Sequence, residues 1–123
     1  GKVYGIDYLP ELVILSETNM AKSDDDLLRK GVVKLGERDG WKGWEEYKPF
    51  DAIHVGAAAR EIPLKLVEQL SVGGVMVIPI GPDGGNQSLI KIRRHSDNKP
   101  LKDSFDVTTL MGVRYVPLVE RDI

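Results

Sequence analysis

Pro49-Phe50-Asp51-Ala52-Ile53-His54-Val55-Gly56-Ala57-Ala58-Ala59 is the stretch on which the fold turns. Phe50 to Val55 is an aromatic and β-branched run that passes straight into four small residues, and it does not alternate between apolar and polar. Strands of that kind belong to parallel sheets covered by helices on both faces. Toward the N-terminus, Val32-Val33-Lys34-Leu35 reads as a strand ending before Arg38-Asp39-Gly40, and Val3-Tyr4-Gly5-Ile6 as another closed by Asp7. Between these two, Pro10, Glu11 and the run Leu12-Val13-Ile14-Leu15 predict a helix. Proline suits a first helical turn, where its missing N–H costs nothing, and Glu11 complements the positive end of the dipole. Asp24-Asp25-Asp26 before Leu27-Leu28 predicts a short capped helix ending at Gly31. The acids there cap and solvate, because the other ligands of a calcium loop are missing.

Toward the C-terminus, Ile62, Leu66, Val67 and Leu70 form one face of a helix stopping near Gly73-Gly74, and Val75 to Ile80 is a further buried strand. Gly81-Pro82-Asp83-Gly84-Gly85-Asn86 is turn chemistry. The later runs Ser88–Arg93 and Asp106–Tyr115 have no helix between them, which predicts antiparallel pairing. The chain reads as a single α/β domain over residues 1–123, with strand–helix units on a mostly parallel sheet and an antiparallel C-terminal edge.

Composition narrows the function. The 123 residues are 41% apolar and carry 17 Lys+Arg against 19 Asp+Glu, a net charge of -2. No basic stripe is present to release counterions from phosphates, so no nucleic-acid partner is expected. The sequence has no Cys and two His, His54 and His95, far apart. Disulfides, thiolate sites and a thiol nucleophile are excluded, and no metal is expected. No apolar run approaches the roughly 20 residues of a membrane helix, so a cytoplasmic protein without membrane insertion is expected.

In open parallel sheets ligands bind beyond the carboxyl ends of the strands. The residues there are Asp7, then Asp39-Gly40, then Val55-Gly56-Ala57, then Pro79-Ile80-Gly81. Carboxylates on such a rim accept from ribose hydroxyls or an adenine amine, and glycines let the backbone come close. Each acid has a plainer reading: Asp7 as a helix cap, Asp39 as an Asp-Gly turn. Two acids ending successive predicted strands are a better signal for a nucleoside than either acid alone. His54 is expected as a core histidine, and His95, among Arg93, Arg94, Ser96 and Asp97, as solvated. Trp41 and Trp44 are expected to pack, with Trp41 close enough to the crevice to touch a base.

Several segments together resemble the protein-L-isoaspartate (D-aspartate) O-methyltransferase family. They are Val3–Asp7 with Pro10-Glu11-Leu12-Val13, Asp39-Gly40 with Gly43, Pro49–Ala59, Gly73-Gly74 leading into Val77–Gln87, and Leu110-Met111-Gly112-Val113-Arg114-Tyr115-Val116-Pro117-Leu118. The resemblance implies a Rossmann-like S-adenosylmethionine-dependent methyltransferase fold. It implies S-adenosyl-L-methionine as cofactor and, as acceptor, the free carboxylate of L-isoaspartyl or D-aspartyl residues in damaged proteins. Carried over, Asp7 matches the acid at the cofactor ribose, Asp39 and Gly40 the pair at the adenine, and Gly56 and Ala57 the wall beside the methyl. Met111, Gly112 and Val113 match a segment bordering the damaged peptide. A monomer is expected.

The sequence also departs from the family. The chain opens on Gly1 and enters a strand at once, so the resemblance implies a fold incomplete at its N-terminus. The family's first strand with its glycine-rich loop, and its substrate loop with a serine and histidines, have no match here. The catalytic residues are therefore unassigned, and these 123 residues alone are expected to be inactive. Gly36-Glu37-Arg38 is bulkier than the usual lead-in to the Asp-Gly pair, and Arg60 stands where a proline is usual. The alternatives are a non-catalytic piece keeping an adenosine half-site, and a nicotinamide-dependent oxidoreductase, against which the lack of a GxGxxG run speaks.

Overall fold

The computed structural model describes residues 2–7, 9–22, 29–82, 84–114 and 116–118. They fall into two compact units, divided after Gly43.

The first unit holds strand β1 (Val3–Asp7), helix α1 (Pro10–Ala21) and strand β2 (Val33–Glu37). The two strands pair in parallel, with Val3 opposite Val33 and Asp7 opposite Glu37. A parallel pair needs a crossover, and α1 supplies it. Pro10 sits in the first turn as expected, and Asp7 Oδ1 accepts from Leu9 N at 3.0 Å just ahead of it. The helix expected at Asp24–Gly31 falls largely on residues 23–28, outside the described residues.

The second unit holds β3 (Phe50–His54), helix α2 (Leu64–Glu68), β4 (Leu70–Ile80), β5 (Gln87–Arg94) and β6 (Phe105–Val113). The strands lie in the order β3-β4-β5-β6. β3 and β4 are parallel, whereas β4–β5 and β5–β6 are antiparallel, so the expected antiparallel edge is present. One face carries the core: Met76, Ile78, Ile90 and Ile92 are buried, with Leu66, Val67 and Leu70. Side chains two apart on a strand share a face, which puts Val75 and Val77, with Lys91 and Arg93 in register beside them, on the other.

Three expectations need correction. The helix expected to run from Ile62 to Gly73-Gly74 is only Leu64–Glu68, and Leu70 already opens β4. Leu70 keeps its burial because β4 starts over the same core, so an apolar spacing that fits a helix is met by a short helix followed by a strand. A buried strand was expected at Phe50–Val55, yet Asp51, Ala52 and His54 are exposed; no residue of β1 is buried either. Among the described residues β3 pairs only with β4 and β1 only with β2, so each has one neighbour. His54 is consequently an exposed strand residue and not a core histidine.

Candidate cofactor and acceptor site

In the first unit the parallel register brings the carboxyl ends of β1 and β2 side by side. Arg38 N donates to Asp7 O at 2.8 Å, which prolongs the ladder one step and delivers Asp39 to the same end. Asp39 is 8% exposed and caps a single 3-10 turn, Gly40–Lys42, its Oδ1 accepting from Trp41 N at 2.9 Å. Gly43 closes that turn with φ of 62°, a left-handed conformation that favours glycine. Asp39 therefore sits in the Asp-Gly turn expected of it and caps it, whereas Asp7 accepts from Leu9 N without capping the helix, whose N-cap Leu9 has no side-chain cap hydrogen bond. An ionised carboxylate is an acceptor with two oxygens and about four lone-pair directions. Asp7, Glu37 and Asp39 stand at this rim with Arg38 between the last two, and carboxylates there suit hydroxyl and amine donors.

Asp7 also borders a recess with Gly5, Ile6, Val13, Ser16 and Leu35, of about 130 Å³. Ligand pockets run to roughly 300–1,000 Å³, so the recess is smaller than a whole nucleoside would need. Ser16, one helix turn past Leu12, was not singled out in the sequence. It lines the recess together with residues of β1, and the apolar run around it gives no signal of that.

In the second unit one end of the sheet collects the other sequence-derived positions. β3 ends at His54, β4 at Ile80, β5 begins at Gln87 and β6 ends at Val113. Val113 lies opposite Gln87, Gly112 opposite Ser88 and Met111 opposite Leu89. Gly56 and Ala57 follow β3 at this end, and a Cβ added to Gly56 would meet only His54 Cε1 at 3.9 Å. A ligand's atoms can approach that backbone closely. Gln87 is 3% exposed, and its Nε2 donates to Pro82 O at 3.3 Å, bracing the turn after β4. Met111 and Gly112 are exposed and Val113 is half-buried.

Of the two tryptophans, Trp44 packs edge-on against Tyr47, with ring centroids 4.9 Å apart. Its backbone N–H donates to Oε1 of the buried Gln69 at 3.0 Å. Gln69 Nε2 in turn donates to Glu45 Oε2 at 3.1 Å, and Lys48 pairs with both Glu45 and Glu68. The hydrogen bond from Lys48 holds the Glu45 carboxyl below its ordinary range, against a smaller opposing effect of desolvation. The same bond raises the Lys48 ammonium. Arg38 is tied by its backbone to Asp7, and the exposed Arg60 side chain lies 4.0 Å from Glu61. Among the described residues no three His, Cys, Asp or Glu side chains gather as a metal would require, and no helix is long and apolar enough to cross a membrane.

The family model of protein-L-isoaspartate(D-aspartate) O-methyltransferase matches residues 1–123. The chain belongs to this family. It is 48% identical to protein-L-isoaspartate O-methyltransferase 2 of Arabidopsis thaliana, over 98% of this chain and 37% of that protein. It is 44% identical to protein-L-isoaspartate O-methyltransferase of Triticum aestivum, over 98% of this chain and 50% of that one. A Plasmodium falciparum chain described as a protein-L-isoaspartate O-methyltransferase, solved in complex with S-adenosyl-L-homocysteine, superposes with a TM-score of 0.82. It is 30% identical, over 98% of this chain and 53% of that one. The chain thus spans about half the length, or less, of the relatives it matches. The family's Rossmann-like methyltransferase fold accounts for the parallel pairs and the antiparallel edge, and the oxidoreductase alternative falls away.

Proposed function

We propose that the chain is the cofactor-rim and acceptor-rim portion of one methyltransferase domain, acting on the free carboxylate of L-isoaspartyl or D-aspartyl residues in damaged proteins. The observation that carries this reading is the pair Asp7 and Asp39, both at the carboxyl end of the β1–β2 pair, in a chain that the family matches from end to end. In this reading S-adenosyl-L-methionine is held in the first unit by Asp7 at the ribose hydroxyls and Asp39 with Gly40 at the adenine, and the second unit contributes Gly56 with Ala57 beside the methyl group. The open space over Gly56 supports that last position. The cofactor, when bound, supplies a methyl group on a positively charged sulfur.

Met111, Gly112 and Val113 border the acceptor in this reading. A carboxylate is ionised near neutral pH, so the chain's task is to align and dehydrate it, which is where most of the rate comes from in such a transfer. No strong protein base and no metal are needed. A cytoplasmic monomer without nucleic-acid or membrane partners completes the proposal, and the net charge of -2 supports the absence of a nucleic-acid partner.

The test is transfer of labelled methyl by the intact protein to a peptide containing L-isoaspartate and to the same peptide with ordinary aspartate. Transfer to the first alone is expected, because the isomer displaces the free carboxylate and an in-line reaction is steeply sensitive to displacement. Equal labelling of both peptides contradicts the assignment.

A further inference from the structure

Ala58 and Ala59 have all four of their backbone hydrogen-bonding groups committed, and to two different segments. Ala58 N donates to Val116 O at 2.7 Å, and Leu118 N donates to Ala58 O at 2.6 Å. Ala59 N donates to Pro79 O at 2.9 Å, and Gly81 N donates to Ala59 O at 2.9 Å. The two alanines are thus the middle of a short parallel ladder, with residues 116–118 on one side and the end of β4 on the other. Their side chains are 3% and 0% exposed, so they have no room to slide. Gly56 is exposed and Ala57 half-buried, and their place is set by the alanines that follow.

The segment 116–118 follows the end of β6 after Arg114 and Tyr115 alone. Val116 is 72% exposed and Pro117 is exposed, while Leu118 is half-buried, so the ladder and the Leu118 side chain together hold this segment. A segment held so lightly is readily biased by whatever binds beside it.

We infer that residues 116–118 form a clamp whose backbone positions the Gly56–Ala57 wall, so that acceptor binding at the end of β6 and cofactor binding at that wall strengthen one another. The inference rests on the site assignment proposed above and adds the coupling between its two halves. An acceptor that steadies residues 116–118 removes part of the ordering cost of the wall, and by linkage the cofactor does the same for the acceptor. Val116 and Leu118 are positioning residues here, acting through main-chain groups.

The test combines calorimetric titration with hydrogen exchange on the full chain. S-adenosylhomocysteine is titrated with and without an L-isoaspartyl peptide, in wild type, Leu118→Pro, which removes the N–H that Ala58 O accepts, and Leu118→Val, which keeps it. The peptide is expected to tighten S-adenosylhomocysteine about fivefold or more in wild type. The ratio falls to one in Leu118→Pro and returns in Leu118→Val, a readout that simple destabilisation does not move. Exchange of the Ala58 and Gly81 amides should quicken about tenfold or more in Leu118→Pro without ligand. If that variant does not fold, Pro117→Gly keeps every donor, loosens the segment and should lower the ratio. Both ligands binding wild type with no mutual effect overturns the coupling and leaves the function standing. If neither ligand binds, the site assignment falls, the coupling falls with it, and exchange alone decides whether the clamp exists.

Discussion

The two units spend similar sequence differently. α1 carries Leu12, Val13, Ile14 and Leu15 in succession and buries none of them, and Ile14 is 63% exposed. α2, less than half its length, buries Leu66 and Val67 against the sheet. β1 and β2 have one strand neighbour each, whereas β4 and β5 have one on either side, and it is in these two that Met76, Ile78, Ile90 and Ile92 are buried. Apolar content sets what can be buried, and the number of neighbouring elements sets what is. The cohesion of the described chain therefore sits in the four-stranded sheet, while the acids proposed to hold the nucleoside sit on the less-buried pair.

The sharpest way to break this contrast is a matched pair of core truncations. Ile78→Ala, at a fully buried position, should cost about 2–5 kcal/mol in a denaturant melt. Val3→Ala, 60% exposed, should change stability by no more than about 0.5 kcal/mol. Comparable losses would mean that the first unit carries as much of the core as the second.

Glycine substitutions sharpen the contrast at smaller scale. Gly81 has φ of 153°, and a Cβ there would lie 2.7 Å from Asn86 O and 2.8 Å from Gln87 Cα, both backbone. Gly81→Ala should lower stability by about 1–3 kcal/mol and loosen the turn that Gln87 braces. A Cβ on Gly5 would meet Leu35 Cδ2 at 2.7 Å, the far end of a flexible side chain. Gly5→Ala should fall within about 1 kcal/mol of wild type, since relief of strand-glycine entropy offsets the repacking. Thermal melts of the two variants check the difference.

Much of this was legible in the sequence for physical reasons. Pro10 and Glu11 mark a helix start by local chemistry, and the start appears where they put it. Gly81 to Asn86 signals a turn, and the two strands beyond pair antiparallel because nothing between them is long enough for a crossover. The exposure of His54 was not legible, since a run such as Ala52-Ile53-His54-Val55 looks buried whatever its neighbours, and neighbours are non-local. The ladder joining Ala58 to residues 116–118 was hidden for the same reason: it links positions far apart in sequence through backbone groups that every residue possesses. The place of Asp7 and Asp39 at the carboxyl end of the β1–β2 pair was readable because each comes at or just after a strand end, while Ser16 beside the recess carries no such mark.

The smallest expected effect is electrostatic. Glu45 has its carboxyl held low in the folded state, so its contribution is present above the ordinary glutamate range and is lost as pH falls through the folded value. Lys48 is raised, so its share is present below the ordinary lysine range and is lost as pH rises through the folded value. Both groups are well exposed, and the effect is correspondingly slight. Glu45→Gln should flatten the acid limb of a plot of melting midpoint against pH while leaving the neutral region nearly unchanged. An unaltered acid limb would place that pH dependence elsewhere.

The account depends most on Asp7 and Asp39 as the acids of one nucleoside site, and a single titration addresses it. S-adenosylhomocysteine is titrated into wild type, Asp7→Ala and Asp39→Ala, with folding of each verified by its melt. Losing a carboxylate that accepts charge-assisted hydrogen bonds costs about 1.5–3 kcal/mol, so each variant should bind roughly 10- to 150-fold more weakly than wild type. Binding that is unchanged in both variants would contradict the account.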